Sequence, residues 1–419
     1  MDTIRFKRNW IIGLLWLIPL IMQCQREHAN IFDPQFPVDS INLDLRIISS
    51  DSVVTLSWIP PGQVQYMGFN IYRQSEDSAQ FSLLARVDRD QFQFNDLQTQ
   101  YDKLYRYYLR IQGADSESPR STIVQTVPGP FRVWILDRWN FYIYYLTYDL
   151  RHVIRTQYAV WRPQSMCRDE ANQTAVITYP GYHYLELFRL ADGTLLSGFD
   201  DLKYPFDCVF NAQTRTFWIA DSSGGIYALS KDPMDIQQLN NLPRHPLQMI
   251  RGGENRFYVL DRKSRSISIF NALGERTGTI NRGLNDPYYL AGSDFNLLYI
   301  LDRQDSLTSN LVQYDPESNQ LKEIYHGDNL ALVKLSFDHH SLWLAQNNPS
   351  NAKILQLSLE GIRLSERKGF KFISDVTPAK NGHLLVADAG AALLFHFGKD
   401  KSLVGRFSKA YYPFKVYVE

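Results

Sequence analysis

The sequence predicts an all-β chain, a β-sandwich followed by a longer repeat of β-sheets, and three observations predict it. Aromatic residues make up 14% of the chain within an apolar share of 44%, and flat side chains pack well on pleated surfaces. Short runs from Ile41 to Thr126 alternate apolar with polar residues between turn-rich stretches, so every second side chain faces a buried side. From Phe131 onward an apolar motif returns at intervals of 40 to 44 residues, the period of a four-stranded propeller blade. At 419 residues the chain accommodates two or three folded units. Lys plus Arg and Asp plus Glu both number 44, so no global charge attracts nucleic acid.

Arg5, Lys7 and Arg8 precede a thirteen-residue apolar run, Trp10 to Met22, which has the layout of an export signal and is too short to cross a bilayer. Residues 1–23 are therefore set apart from the fold, and residues 24–40, polar and carrying Pro34 and Pro37, read as a tether. Ile21-Met22-Gln23-Cys24 resembles the lipobox at which bacterial lipoprotein precursors are cut and acylated, although Gln23 stands where that pattern favours a small residue. The resemblance implies lipidation at Cys24 and a place in the bacterial cell envelope, at the outer membrane or in the periplasm; cleavage without acylation is the alternative. Without residues 1–23 the chain keeps 41 basic and 43 acidic groups, so charge alone does not hold it to anionic lipid. Any membrane attachment passes through the lipid on Cys24.

The sandwich is assigned to residues 41–127. Val54, Leu56 and Trp58 alternate in one run and Tyr105, Tyr107, Leu109 and Ile111 in another, with Pro60-Pro61-Gly62 and Gln112-Gly113-Ala114-Asp115 as turns. This segment resembles a fibronectin type III domain: Trp58 stands where that family places the core tryptophan of its second strand, and Leu97 followed by Tyr105 resembles its tyrosine corner. No Arg-Gly-Asp is present, so the family's adhesive site is not implied, and the module reads as a spacer.

Beyond the hinge Val127-Pro128-Gly129-Pro130, the repeat occupies residues 131–419. Its apolar anchors end at Asp137, Thr178, Asp221, Asp261, Asp302, Gln346 and Asp388, which predicts seven blades, with six as the alternative because Thr178 is the weakest anchor. A proline opens a second apolar run before most anchors, at Pro163, Pro205, Pro246 and Pro287, and proline is tolerated at the first residue of a strand. The first anchor lacks such a run. Tyr412-Pro413-Phe414-Lys415-Val416 repeats the form of Tyr204-Pro205-Phe206-Asp207-Cys208, so the C-terminal strand is expected to complete the first blade and leave no open edge. After the anchors come runs such as Ile267-Ser268-Ile269-Phe270 with Asn271-Ala272-Leu273-Gly274, and the whole resembles the NHL repeat family of propellers. That family includes binding scaffolds and a peptide-amidating lyase, so the resemblance implies a fold and no particular chemistry.

The recurring Leu-Asp-Arg triplets at Asp137, Asp261 and Asp302 read as strand-end carboxylates that accept turn N–H groups. His339 and His340 fall in a turn between strands and offer no third ligand, so no metal site is assigned. Cys167 and Cys208 follow Pro163 and Pro205 by four and three residues, which puts them on opposite faces of equivalent strands and favours two buried thiols over a bridge. No nucleophile elbow, phosphate loop or zinc helix occurs; no catalytic residue and no cofactor is assigned.

In a propeller the residues before the repeating prolines gather at one mouth of the central channel. Here these are Arg162, Tyr204, His245, Asp286 and Tyr412, a set suited to a polar ligand. The expected function is a binding scaffold for a protein, peptide or glycan at the cell envelope. The alternative is a metal-dependent lyase or lactonase acting at the same mouth.

Overall fold

The computed structural model describes residues 30–33, 40–50, 53–62, 64–101, 103–129, 131–231, 234–292, 296–305, 308–327, 332–338, 340–347, 352–379 and 382–418. The candidate export signal, Cys24, most of the tether and His339 lie outside the described residues. The chain divides into two compact units, one built mainly of Val53–Gln98 and Lys103–Thr126, the other of Val127–Glu419.

The first unit pairs a three-stranded sheet (Arg46–Ser50, Val53–Ser57, Gln93–Asp96) with a four-stranded one (Ser82–Asp88, Gly68–Ser75, Tyr105–Gln112, Val124–Thr126). Alternation sets its core: Val54, Leu56, Phe69, Ile71, Tyr107, Leu109 and Ile111 are buried together, and Trp58 packs edge-on to Phe69 at 5.3 Å. Of the pair expected at a tyrosine corner, Leu97 is exposed and Tyr105 is buried with the core. Tyr107, on the same inward face, donates its hydroxyl to buried Asp96 at 2.8 Å, a carboxylate that also pairs with Arg73 at 2.8 Å.

The second unit is propeller-like. Among the described residues it contains seven four-stranded antiparallel sheets, each with its strands in chain order except the first. The innermost strands of the second to seventh sheets are Ser165–Asp169, Pro205–Asn211, Pro246–Arg251, Pro287–Gly292, Leu332–Asp338 and Ile373–Pro378. In the first sheet that place is taken by Pro413–Val418, which runs antiparallel to Arg132–Asp137 with Ile135 opposite Val416. All seven anchors form the second strands, from Arg132–Asp137 to Leu384–Asp388. Both their faces are covered, which is why they read as unbroken apolar runs rather than alternating ones.

Successive anchor residues point to opposite neighbours. Ile135 packs toward the seventh sheet and Trp134 toward the second; Val176 faces the third, Trp218 the fourth, Tyr258 the fifth, Leu301 the sixth and Ala345 the seventh. These seven apolar clusters join every sheet to the next and the last to the first.

The prolines have a register reason. Pro205, Pro246, Pro287 and Pro413 stand opposite Asp221, Asp261, Asp302 and Asp137, and the ladder shifts just after each proline. A residue without an N–H costs nothing where pairing is already interrupted.

Candidate functional site

The strand-end carboxylates do more than close their own turns. Asp137 accepts the turn N–H groups of Trp139 (3.0 Å) and Asn140 (3.3 Å) and also those of Tyr411 (2.7 Å) and Tyr412 (3.1 Å) in the loop entering the innermost strand. Asp221 takes Tyr204 N–H (3.1 Å), Asp261 takes His245 N–H (3.3 Å), Asp302 takes Asp286 N–H (2.7 Å) and Asp388 takes Phe372 N–H (2.9 Å). Opposite four of these acids stands a proline, which has no N–H to offer, and opposite Asp388 stands Ile373, whose N–H donates to Asn347, so each carboxylate reaches the residue before its opposite number. Each acid thus staples two loops of one end of the ring.

Four of the five residues expected at the mouth, Tyr204, His245, Asp286 and Tyr412, are therefore held at equivalent backbone positions, while Arg162 and Pro163 precede the first strand of the second sheet, which starts at Ser165 opposite Thr178 rather than at the proline. Their side chains engage separate neighbours. Arg162 lies over the Trp139 ring at 5.7 Å, and it and Tyr412 both act on Arg138, whose pKa burial lowers. Tyr204 meets His183 edge-on at 5.0 Å, His245 Nδ1 lies 3.1 Å from the Ser222 carbonyl, and Asp286 pairs with Arg303 at 3.6 Å. Among the described residues, only Arg162 and Tyr412 share a partner.

A larger feature at this end was not expected from sequence. Strands alternate in direction, so one end of the ring collects the starts of first strands, the turns between second and third strands, and the ends of fourth strands. Trp139, Tyr158, Trp161, Tyr182, Tyr204, Phe372 and Tyr411 all fall there, each 39–66% exposed. They are all the strongly exposed aromatic residues of Val127–Glu419 among the described residues. The exposed aliphatic side chains of that segment, including Leu195, Leu273, Leu364 and Leu403, fall at the opposite end. Phe141 stacks on Trp161 (5.2 Å) and Trp161 on Tyr182 (6.3 Å), forming a row across the first and second sheets.

The channel wall is a second feature that sequence reasoning missed. Two places after each repeating proline, or the equivalent position, stand Ser165, Asp207, Gln248, Tyr289, Asp375 and Lys415. Their polar atoms tie one innermost strand to the next: Asp207 accepts Met249 N–H (2.9 Å), Gln248 accepts Leu290 N–H (2.8 Å) and Asp375 accepts Val416 N–H (2.8 Å). Lys415 donates to Ser165 Oγ (3.1 Å) and lies 3.5 Å from Asp207. Burial works against its charge, but the neighbouring Tyr417, Asp207 and Asp375 outweigh it and raise its pKa, so the ammonium stays protonated. A polar residue at a fixed place in an otherwise apolar strand is the signal that would have found this ring.

Cys167 and Cys208 are free thiols buried in one cluster. They do lie on opposite faces of equivalent strands, but across adjacent stacked sheets opposite faces meet, so the two thiols face each other, and burial with the neighbouring Cys208 raises the Cys167 pKa. Among the described residues no group of three or more His, Cys, Asp or Glu side chains is placed to hold a metal ion.

No family model and no curated protein sequence matches the chain. Solved structures do match in shape. A functionally unknown protein from Desulfotomaculum acetoxidans aligns with TM-score 0.56 at 9% identity, over 68% of this chain and 98% of its own. A candidate 6-phosphogluconolactonase from Bacteroides uniformis aligns with TM-score 0.53 at 14% identity, over 69% and 99%. Virginiamycin B lyase from Staphylococcus aureus aligns with TM-score 0.47 at 13% identity, over 58% and 83%. The fold is β-propeller-like. Identities this low carry the fold and no chemistry.

Proposed function

We propose that this chain is an exported envelope protein, lipid-anchored through Cys24, in which a fibronectin type III-like sandwich presents a seven-bladed propeller as a binding scaffold. The observation that carries the binding role is the confinement of the exposed aromatic rings to the loop end of the ring, beside Arg162 and Arg138. Trp, Tyr and Arg are the residues that dominate binding energy in protein interfaces, because they bury large rigid areas and keep a polar or charged tip. The stacked row of Phe141, Trp161 and Tyr182 uses ring faces internally, which leaves fewer free faces for a sugar ring and favours a protein or peptide. The three-plus-four strand order of the first unit supports the sandwich reading, and the seven clusters between sheets support the blade number.

Capture of partners from envelope extracts tests the role, with the triple variant Trp139→Ala, Trp161→Ala and Tyr182→Ala as the comparison. Loss of at least 100-fold in the affinity of the captured protein is expected, about 2.7 kcal/mol shared by three anchors. Unchanged capture refutes the site. Capture of glycan alone replaces the protein partner with a sugar, and a stoichiometric divalent ion held by the purified protein would favour the lyase or lactonase alternative.

A further inference from the structure

A cavity of about 620 Å³ opens between the sixth and seventh sheets, at the end of the ring away from the aromatic loops. Its inner wall is apolar, formed by Ile354, Ala379, Leu384 and Phe397, with the Trp343 ring beside them. Its rim is charged, and the charges are unequally used. Asp338 is saturated, accepting from the N–H groups of His340 (2.9 Å) and Ser341 (2.7 Å) and from Trp343 Nε1 (2.7 Å). Glu366 is surrounded by Lys353 (2.9 Å), Lys368 (3.0 Å) and Arg363. Arg367 lies flat over Phe397 at 3.9 Å and donates to the Lys401 carbonyl, which joins the two sheets at the cavity wall. Lys399 and Lys401 line the cavity as exposed residues, and neither forms an ion pair with a carboxylate among the described residues.

We infer that this cavity binds a small organic anion with a flat apolar body, the body against Phe397, Leu384 and Ile354 and the anionic group at Lys399 and Lys401. Its volume lies in the range of small-molecule sites, and an apolar wall with a few charged groups at the mouth fixes both depth and orientation. Rim acids already saturated by hydrogen bonds and cations leave the two lysines as the free charge, so a carboxylate or sulfonate is selected over a neutral or cationic group. The site is independent of the aromatic loop end and does not rest on the binding role proposed for it.

Isothermal titration calorimetry of the full chain with 2-naphthoate, and with the neutral 2-naphthalenemethanol, tests the inference. Saturable binding of one naphthoate is expected, at least tenfold tighter than the neutral compound. The exposed pair Lys399→Glu and Lys401→Glu should weaken naphthoate at least tenfold, and Ser365→Trp, which fills the cavity from its outer strand, should abolish it. The triple variant of Trp139, Trp161 and Tyr182 should bind naphthoate as the native chain does. No saturable binding to the native chain, equal binding of the neutral compound, or unchanged binding by the double charge reversal in protein with native near-ultraviolet circular dichroism would overturn it.

Discussion

Replacing Asp137 by Ala removes one buried carboxylate that holds four backbone N–H groups, two in its own turn and two in the loop that leads into Pro413–Val418. A hydrogen bond to a charged group contributes about 1.5–3 kcal/mol, and a donor left without a partner forfeits that and its desolvation. Trp139 and Tyr411 are both exposed, so water replaces part of the loss in each loop. Counting the equivalent of two of the four bonds, the expected loss is about 3–6 kcal/mol, large against the stability of an ordinary domain. Asp137→Asn keeps the shape and one acceptor oxygen and should cost about half as much. Trp134 and Trp218 are fully enclosed in this unit, so their fluorescence during urea titration reports its unfolding. A loss below about 1 kcal/mol for Asp137→Ala would refute the staple, and with it the reason for pairing each acid with the residue before a proline.

Burial and the adjacent His383 lower the His396 pKa to about 4. Above the ordinary value near 6.5 both states are neutral. As pH falls from 6.5 to 4 the unfolded chain takes up the proton first, so stability declines by about 3 kcal/mol over that window and levels below it; urea titrations of native protein and His396→Gln across this range should show the decline only in the native chain. Lys415→Met leaves Asp207 and Asp375 without their shared cation and should cost about 3 kcal/mol or more, with much of it recovered by adding Asp207→Asn; equal instability in both variants would count against the ion cluster. Cys167 and Cys208 should resist a thiol reagent in the native state and react once urea unfolds the chain, because burial raises the Cys167 pKa and excludes the reagent; rapid native labelling would contradict the packing.

The anchors were legible because strands covered on both faces leave continuous apolar runs, as in Phe217–Asp221 and Phe257–Asp261. The closing strand was legible because Pro413 repeats the form of Pro205. What escaped depends on contacts between sheets. Asp207, Gln248 and Lys415 occupy one repeat position, yet their partners belong to neighbouring strands, 42 residues away for the first two and 250 for Lys415, which spacing within a blade does not show. The offset between Cys167 and Cys208 does put them on opposite faces of equivalent strands, but stacking turns opposite faces into neighbours. Trp139, Trp161, Tyr182 and Tyr411 sit in turns of unequal length, so no period marks them. The five residues expected at the mouth share a place before a proline, and that place is what the sequence encodes; the direction of their side chains is set by local partners such as His183 and Arg303.

Amide hydrogen exchange along the native chain tests the central claim, that the last strand seals the first sheet. Tyr417, whose N–H faces Arg132–Asp137, and Val416, whose N–H is held by Asp375, should be protected as strongly as Val133 to Leu136. Exchange of residues 414–418 at the rate of a free peptide, while Arg132–Asp137 stays protected, would contradict it.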